Sequence, residues 1–144
     1  MNFEQARSNM VLNQLRANRI KNSSLIEKIE LFPRENLYPK SYKHLAYSDK
    51  IIFLDDGRFI LPPLTSFHLL QALGEIDDES ILEIGSGFGT STSIINKFSS
   101  NIECIESSMQ MTEVFKNSIK DGLFNASLLA VSYTHLRAHE TRED

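Results

Sequence analysis

Glu83, Gly85, Ser86, Gly87 and Gly89 fall within one short run, ILEIGSGFGT, at residues 81–90. Three glycines at alternate positions let a backbone turn sharply and let a ligand come close to its amides. The apolar residues before them read as a buried strand, and the residues after them as the start of a helix. A glycine-rich strand-to-helix turn is where α/β proteins hold nucleotides. Its chemistry is therefore binding, and the spacing of the residues decides what is bound.

The dinucleotide fingerprint G-x-G-x-x-G fails here in both registers. Counted from Gly85 its third glycine falls on Thr90, and counted from Gly87 it falls on Thr92. Glu83, two residues before the first glycine, would repel a pyrophosphate but attract an ammonium or a sulfonium. S-adenosylmethionine carries both cations and no phosphate, so it is the ligand this acid favours. A second acid, Glu106, ends the apolar run IECIE, 23 residues on from Glu83. That is close to the roughly 20-residue offset at which a carboxylate meets a ribose hydroxyl pair. It would serve NAD and the methyl donor equally. A close-packed glycine turn or a solvated acid is unremarkable alone, but acid, glycines and second acid together favour a nucleotide site. The expected cofactor contacts are Glu83, Gly85, Ser86, Gly87, Gly89 and Glu106.

The elements that would position these residues alternate. LTSFHLLQALG reads as a helix ended by Gly74, SILEIG as a strand, FGTSTSIINKF as a helix and NIECIE as a strand. MQMTEVFKNSIKDG then reads as a helix capped by Gly122, and ASLLA as the start of a third strand. Strand, helix, strand, helix, strand is the order of a parallel α/β sheet. Ahead of it, Asn2 with Gln5 and Ser24 with Glu27 resemble capping boxes opening two helices, the second stopped by Pro33. Phe3, Ala6, Met10 and Leu15 mark the buried face of the first helix, and Leu25, Ile29 and Phe32 that of the second. Residues 33–50 are turn-rich, and IIFLDDGRFILPP predicts two short strands around an Asp-Asp-Gly turn. The expected fold is α/β: an N-terminal helical and short-strand region (1–63) leading into the first half of a Rossmann-like sheet (64–130).

Composition narrows the function. The chain has 144 residues, 41% hydrophobic and 24% charged, with a net charge of −4. That is one domain's worth, without the basic stripe of a nucleic-acid binder. No apolar run approaches the roughly 18 residues that span a bilayer, and the first residues lack a signal-peptide plan. A cytoplasmic protein with no membrane partner is expected. The single cysteine, Cys104, excludes an internal disulfide and reads as a buried core thiol. No metal site is expected.

The chain also resembles a family. ILEIGSGFGTST is similar to motif I of class I S-adenosylmethionine-dependent methyltransferases. NMVLNQLRANRIKNSSLIEKIELFPRENLYP followed by HLAYSD resembles the N-terminal segment of protein-L-isoaspartate O-methyltransferases. The matching residues are Gln14, Leu15 and Arg16, then Phe32, Pro33, Arg34 and Glu35, then Leu45, Ala46, Tyr47 and Asp49. The resemblance covers residues 1 to about 125. It implies S-adenosylmethionine as cofactor, damaged proteins or peptides bearing isoaspartyl residues as partners, and methylation of the free isoaspartyl carboxylate as the activity. The family's Q-T-I-S stretch aligns with Arg58, Phe59, Ile60 and Leu61, so its two hydroxyls are replaced by Phe59 and Leu61. Thr65 and Ser66 are the substitutes nearby, although they stand where a helix N-cap belongs. His68 reads as a helix-surface or packing residue.

Residues 131–144 depart in composition from what precedes them. The run from Val131 to Thr141 resembles the translation of a sequencing adapter, so the tail is expected to be non-native. The chance proximity of His135, His139 and Glu140 is not read as a metal site. With only the first half of the sheet, the chain is expected to be inactive by itself. Two other readings compete with a carboxyl methyltransferase: a catalytically silent relative that binds the cofactor, and an NAD-dependent oxidoreductase.

Overall fold

A computed structural model describes residues 1–131 of the chain. The first helix, α1 (Phe3–Asn9), is capped by Asn2, whose side chain accepts the Gln5 N–H at 3.0 Å. Gln5 does not complete a capping box, because its amide donates to Asn9 instead. The helix continues as a π-helical turn, Met10–Leu15, and a 3₁₀ turn, Arg16–Asn18. The wider turn explains a feature of the sequence pattern. Met10 and Leu15 are five residues apart, out of phase with a 3.6-residue period, and the π turn returns both to the buried face.

Helix α2 (Ser23–Leu31) starts earlier than the Ser24–Glu27 pattern predicts. Its cap is Asn22, whose extended backbone aims the side-chain oxygen at the Leu25 N–H, 3.0 Å away. Asn and Ser cap about equally well, and here the turn before the helix gives Asn22 the place. Two 3₁₀ turns, Arg34–Leu37 and Lys43–Leu45, follow. They are clamped to α1 by the residues that carry the family resemblance. The Arg34 Nε donates to the Ala46 carbonyl at 2.8 Å, with its guanidinium over the Tyr38 and Phe67 rings. The Tyr47 hydroxyl donates to the Glu35 carboxylate and accepts from Arg7 Nε at 3.0 Å. Gln14 donates to the Tyr47 carbonyl at 2.8 Å.

The two expected short strands are β1 (Ile52–Phe53) and β2 (Phe59–Ile60), an antiparallel hairpin with Ile52 opposite Ile60. Gly57, at φ +82°, makes its turn. Helix α3 (Pro63–Leu73) opens on a proline, whose fixed φ suits the first helical position. Thr65 and Ser66 therefore lie inside the helix rather than at its cap, which corrects the sequence expectation. Gln71 of α3 holds the N-terminal region in place. Its oxygen accepts the Lys21 and Asn22 N–H groups, and its nitrogen donates to the Arg19 carbonyl.

The sheet is β3 (Ile81–Ile84), β4 (Ile102–Glu106) and β5 (Ser127–Ala130), parallel throughout and in spatial order β3-β4-β5. Helix α4 (Thr92–Ile95) joins β3 to β4, and α5 (Met109–Lys120) joins β4 to β5. Helix α4 is shorter than expected, because Gly85, Gly87 and Gly89 all take positive φ and keep residues 85–89 out of helical conformation. Ile81 and Glu83 of β3 pair in register with Ile102 and Cys104 and share their inner face. Leu82 and Ile84 point the other way and are 58% and 75% exposed. The strand is thus not buried as the sequence predicts: among the described residues nothing covers its outer face or its free edge. One hydrophobic core, from Met10 to Phe124, runs through both the N-terminal region and the sheet. No helix among the described residues is long and apolar enough to cross a membrane. Residues 132–144, with His135, His139 and Glu140, lie outside the described residues.

Candidate cofactor site

The C-terminal ends of β3 and β4, with the turn between β3 and α4, form the site. A cavity of about 420 Å³ wraps the end of β3. Its lining includes Glu83, Gly85, Ser86 and Gly87, with Leu69, Leu70 and Leu73 of α3 opposite. Ser66 is buried and also reaches it, whereas Thr65 is exposed and does not line it. Phe59 and Leu61, at the positions where the family carries hydroxyls, line the same cavity.

The three glycines do different jobs. A Cβ on Gly85 would stand 3.5 Å from an Arg58 nitrogen, and one on Gly87 would stand 3.8 Å from Met111. Both face the cavity. Gly89 does not: a Cβ there would lie 2.5 Å from the Phe124 ring and 3.3 Å from Phe115. Its missing side chain serves the packing of α5 and of the segment before β5.

Two carboxylates stand at neighbouring strand ends. Glu83 accepts the Thr92 hydroxyl at 2.6 Å. Burial pushes its pKa up to about 7, and the negative charge of Glu106 adds to the rise. Glu106 is 1% exposed. Burial works against its ionisation, but hydrogen bonds from Arg58, Ser108 and Gly87 win, and its pKa lies below the usual value. Arg58 holds it with both terminal nitrogens, at 2.5 and 2.9 Å. The backbone N–H groups of Gly87, Ser107 and Ser108 donate to the same carboxylate at 3.0, 2.6 and 2.9 Å. Covered in this way, Glu106 does not reach the cavity, and Arg58 lines it instead.

Neither Arg58 nor Thr92 stands out in the sequence as a site residue. The signal for Arg58 was a lone cation directly after the Asp-Asp-Gly turn. Cys104 lies beside Glu83 on the inner face, and burial and that carboxylate push its thiol up to about 11. Among the described residues no cluster of His, Cys, Asp and Glu could hold a metal.

The donor set fits an adenosyl cation on three observations. The cavity has the size of a small-molecule site. The buried Ser86 hydroxyl on its wall has no hydrogen-bond partner. Glu83 is the acid on its wall, and among the described residues Arg58 is the one cation there, short of the cluster a pyrophosphate requires.

A parallel strand–turn–helix unit of this kind defines the chain as an α/β protein of Rossmann-like, methyltransferase-like architecture. Residues 6–132 match the family model described as protein-L-isoaspartate(D-aspartate) O-methyltransferase (PCMT), and the chain belongs to that family. Protein-L-isoaspartate O-methyltransferase of Protochlamydia amoebophila (strain UWE25) is 26% identical over 122 residues, 85% of this chain and 58% of that protein. Protein-L-isoaspartate O-methyltransferase 2 of Anaeromyxobacter sp. (strain Fw109-5) is 31% identical over 103 residues, 72% of this chain and 42% of that protein. A solved structure of a protein-L-isoaspartate O-methyltransferase matches in fold with a TM-score of 0.64 at 20% identity, over 90% of this chain and 42% of its own. The chain thus spans about half the length of the relatives it matches. None of these relatives lends support to the oxidoreductase alternative.

Proposed function

We propose that the whole protein transfers a methyl group from S-adenosylmethionine to the free carboxylate of L-isoaspartyl residues in damaged proteins. Family membership makes this the first reading. The observation that carries it is the pair Glu83 and Glu106 at neighbouring strand ends beside a glycine turn. S-adenosylmethionine supplies an activated methyl group on a sulfonium, and an acceptor carboxylate is already nucleophilic. The protein then has little acid–base work to do, and its contribution is to hold donor and acceptor in line. Glu83 suits the cationic end of the donor, the side-chain-free backbone at Gly85 and Gly87 its close approach, and Glu106, once Arg58 is displaced from it, its ribose hydroxyls. Leu69, Leu70 and Leu73 give the cavity an apolar wall on the side of α3. The test is methylation of an isoaspartyl peptide and its aspartyl twin by the full-length protein. A base-labile ester on the isoaspartyl peptide alone supports the reading, and equal labelling of both peptides overturns it.

A second reading is a catalytically silent relative that keeps the cofactor site. It is favoured by Phe59 and Leu61, which place apolar groups on the cavity where the family carries hydroxyls. Saturable S-adenosylmethionine binding by the full-length protein without ester formation would select it. The 144-residue chain is proposed to be inactive by itself, since the cavity has one wall of β3 and α3 and an open side. Micromolar affinity for S-adenosylmethionine in calorimetry of this chain would overturn that.

A further inference from the structure

If Glu106 is to accept the hydroxyls of a ribose, some of its oxygen lone pairs must be open, and none is. Its Oε1 accepts the Gly87 N–H and one Arg58 nitrogen. Its Oε2 accepts the other Arg58 nitrogen and the N–H groups of Ser107 and Ser108. A carboxylate offers about four lone-pair positions, and five donors are present.

Three of those donors belong to the backbone. They are fixed by the glycine turn and by the entry to α5, and the two places that two hydroxyls could take are those the Arg58 nitrogens now fill. Arg58 is the donor that can leave. Its side chain is 33% exposed, while that of Glu106 is fully buried. It stands on a hairpin of two-residue strands, fastened to the same loop by one further link, from the Ser108 hydroxyl to Asp56. Its Nη1 also donates to the Ser107 hydroxyl of this loop at 3.0 Å.

We infer that Arg58 is a guard on the ribose position: its guanidinium occupies the hydrogen-bonding sites that a vicinal diol would use, so a diol-bearing ligand binds only when Arg58 swings out. This rests on reading the site as one for an adenosyl ligand. Affinity for such a ligand is lowered by the fraction of molecules in which Glu106 is open. The guard also sets a positive charge beside the turn, where a cationic ligand gains nothing from it.

The test uses the intact chain, its Arg58→Gln variant and its Arg58→Lys variant, titrated with adenosine and with 2′,3′-dideoxyadenosine and followed by NMR. Adenosine is neutral, so charge repulsion drops out and the diol is isolated. Arg58→Gln should bind adenosine about tenfold or more tightly than the parent, with dideoxyadenosine unchanged. Arg58→Lys, which cannot form the two-nitrogen contact, should fall between, and it stands in should the Gln variant lose its dispersed spectrum. Equal adenosine affinity in parent and Arg58→Gln overturns the guard while leaving the nucleotide site intact. An equal gain for dideoxyadenosine also overturns it, since no diol is then involved. Adenosine binding by none of the three at millimolar concentration overturns the guard, since freeing Glu106 of Arg58 then opens no diol site.

Discussion

Thr92, wholly buried at the start of α4, donates its hydroxyl to Glu83 at the end of β3, 2.6 Å away. The helix that follows the glycine turn thus holds the acid that precedes it. The bond favours the ionised carboxylate and opposes the burial that drives the pKa up to about 7. Thr92→Val keeps the shape and removes the donor. Glu83 should then titrate higher still, read from the pH dependence of its carboxyl carbon by NMR, and stability should fall by about 1–3 kcal/mol. An unchanged titration would show that the hydroxyl does not govern this acid.

Glu83 also fixes a pH dependence of folding. Its folded pKa is raised from 4.5 to about 7. Between those values the folded state holds a proton that the unfolded state has lost. Stability from this group is therefore full below pH 4.5 and declines as pH rises towards about 7. Glu83→Gln should remove that decline, so the variant gains on the parent between pH 5 and pH 8. Urea midpoints measured across that range check the sign.

Gly89 and Gly87 separate packing from approach. Gly89→Ala meets the Phe124 ring at 2.5 Å and a φ of +88°, and should cost about 2–4 kcal/mol. Gly87→Ala meets only Met111, at 3.8 Å, with a φ of +61°, and should cost about 1 kcal/mol. Comparable losses in urea unfolding would contradict this division of roles.

Tyr47→Phe removes a hydroxyl that donates to Glu35 and accepts from Arg7. Glu35 is left buried, with Arg7 at 3.5 Å as its ion-pair partner. A loss of about 1–3 kcal/mol is expected, with no change in the spectra of ligand titrations at the glycine turn. The burial and hydrogen bond to Glu35 that push this hydroxyl up to about 12 also predict no ionised Tyr47 signal in absorbance below pH 11.

Cys104 is 1% exposed, and burial together with Glu83 pushes its thiol up to about 11. The folded chain should resist alkylation by iodoacetamide at pH 8, and urea should release one reactive thiol per chain.

The parallel alternation of the sheet was legible because the apolar runs of β3, β4 and β5 are separated by helix-forming stretches and by glycines at the right places. The turn was legible because Gly85, Gly87 and Glu83 are neighbours in sequence as well as in space. Arg58 was not, since its partner lies 48 residues away and nothing local marks a long-range ion pair. The exposure of Leu82 and Ile84 was hidden for a related reason. Their apolar character is written in the sequence, but what covers them is decided by other strands. The π turn at Met10–Leu15 showed only as a phase slip in the apolar pattern, and the caps of α2 and α3 turned on the backbone direction entering each helix.

The free edge of β3 has a consequence for the molecule in bulk solution. Among the described residues its amide and carbonyl groups are unclaimed on the side away from β4, and the exposed Leu82 and Ile84 flank them. Such an edge is a template on which a like strand can grow. Concentrated solutions of this chain should therefore thicken into β-rich assemblies, seeded at the ILEI tetrapeptide, while the helical N-terminal region stays folded on their flanks.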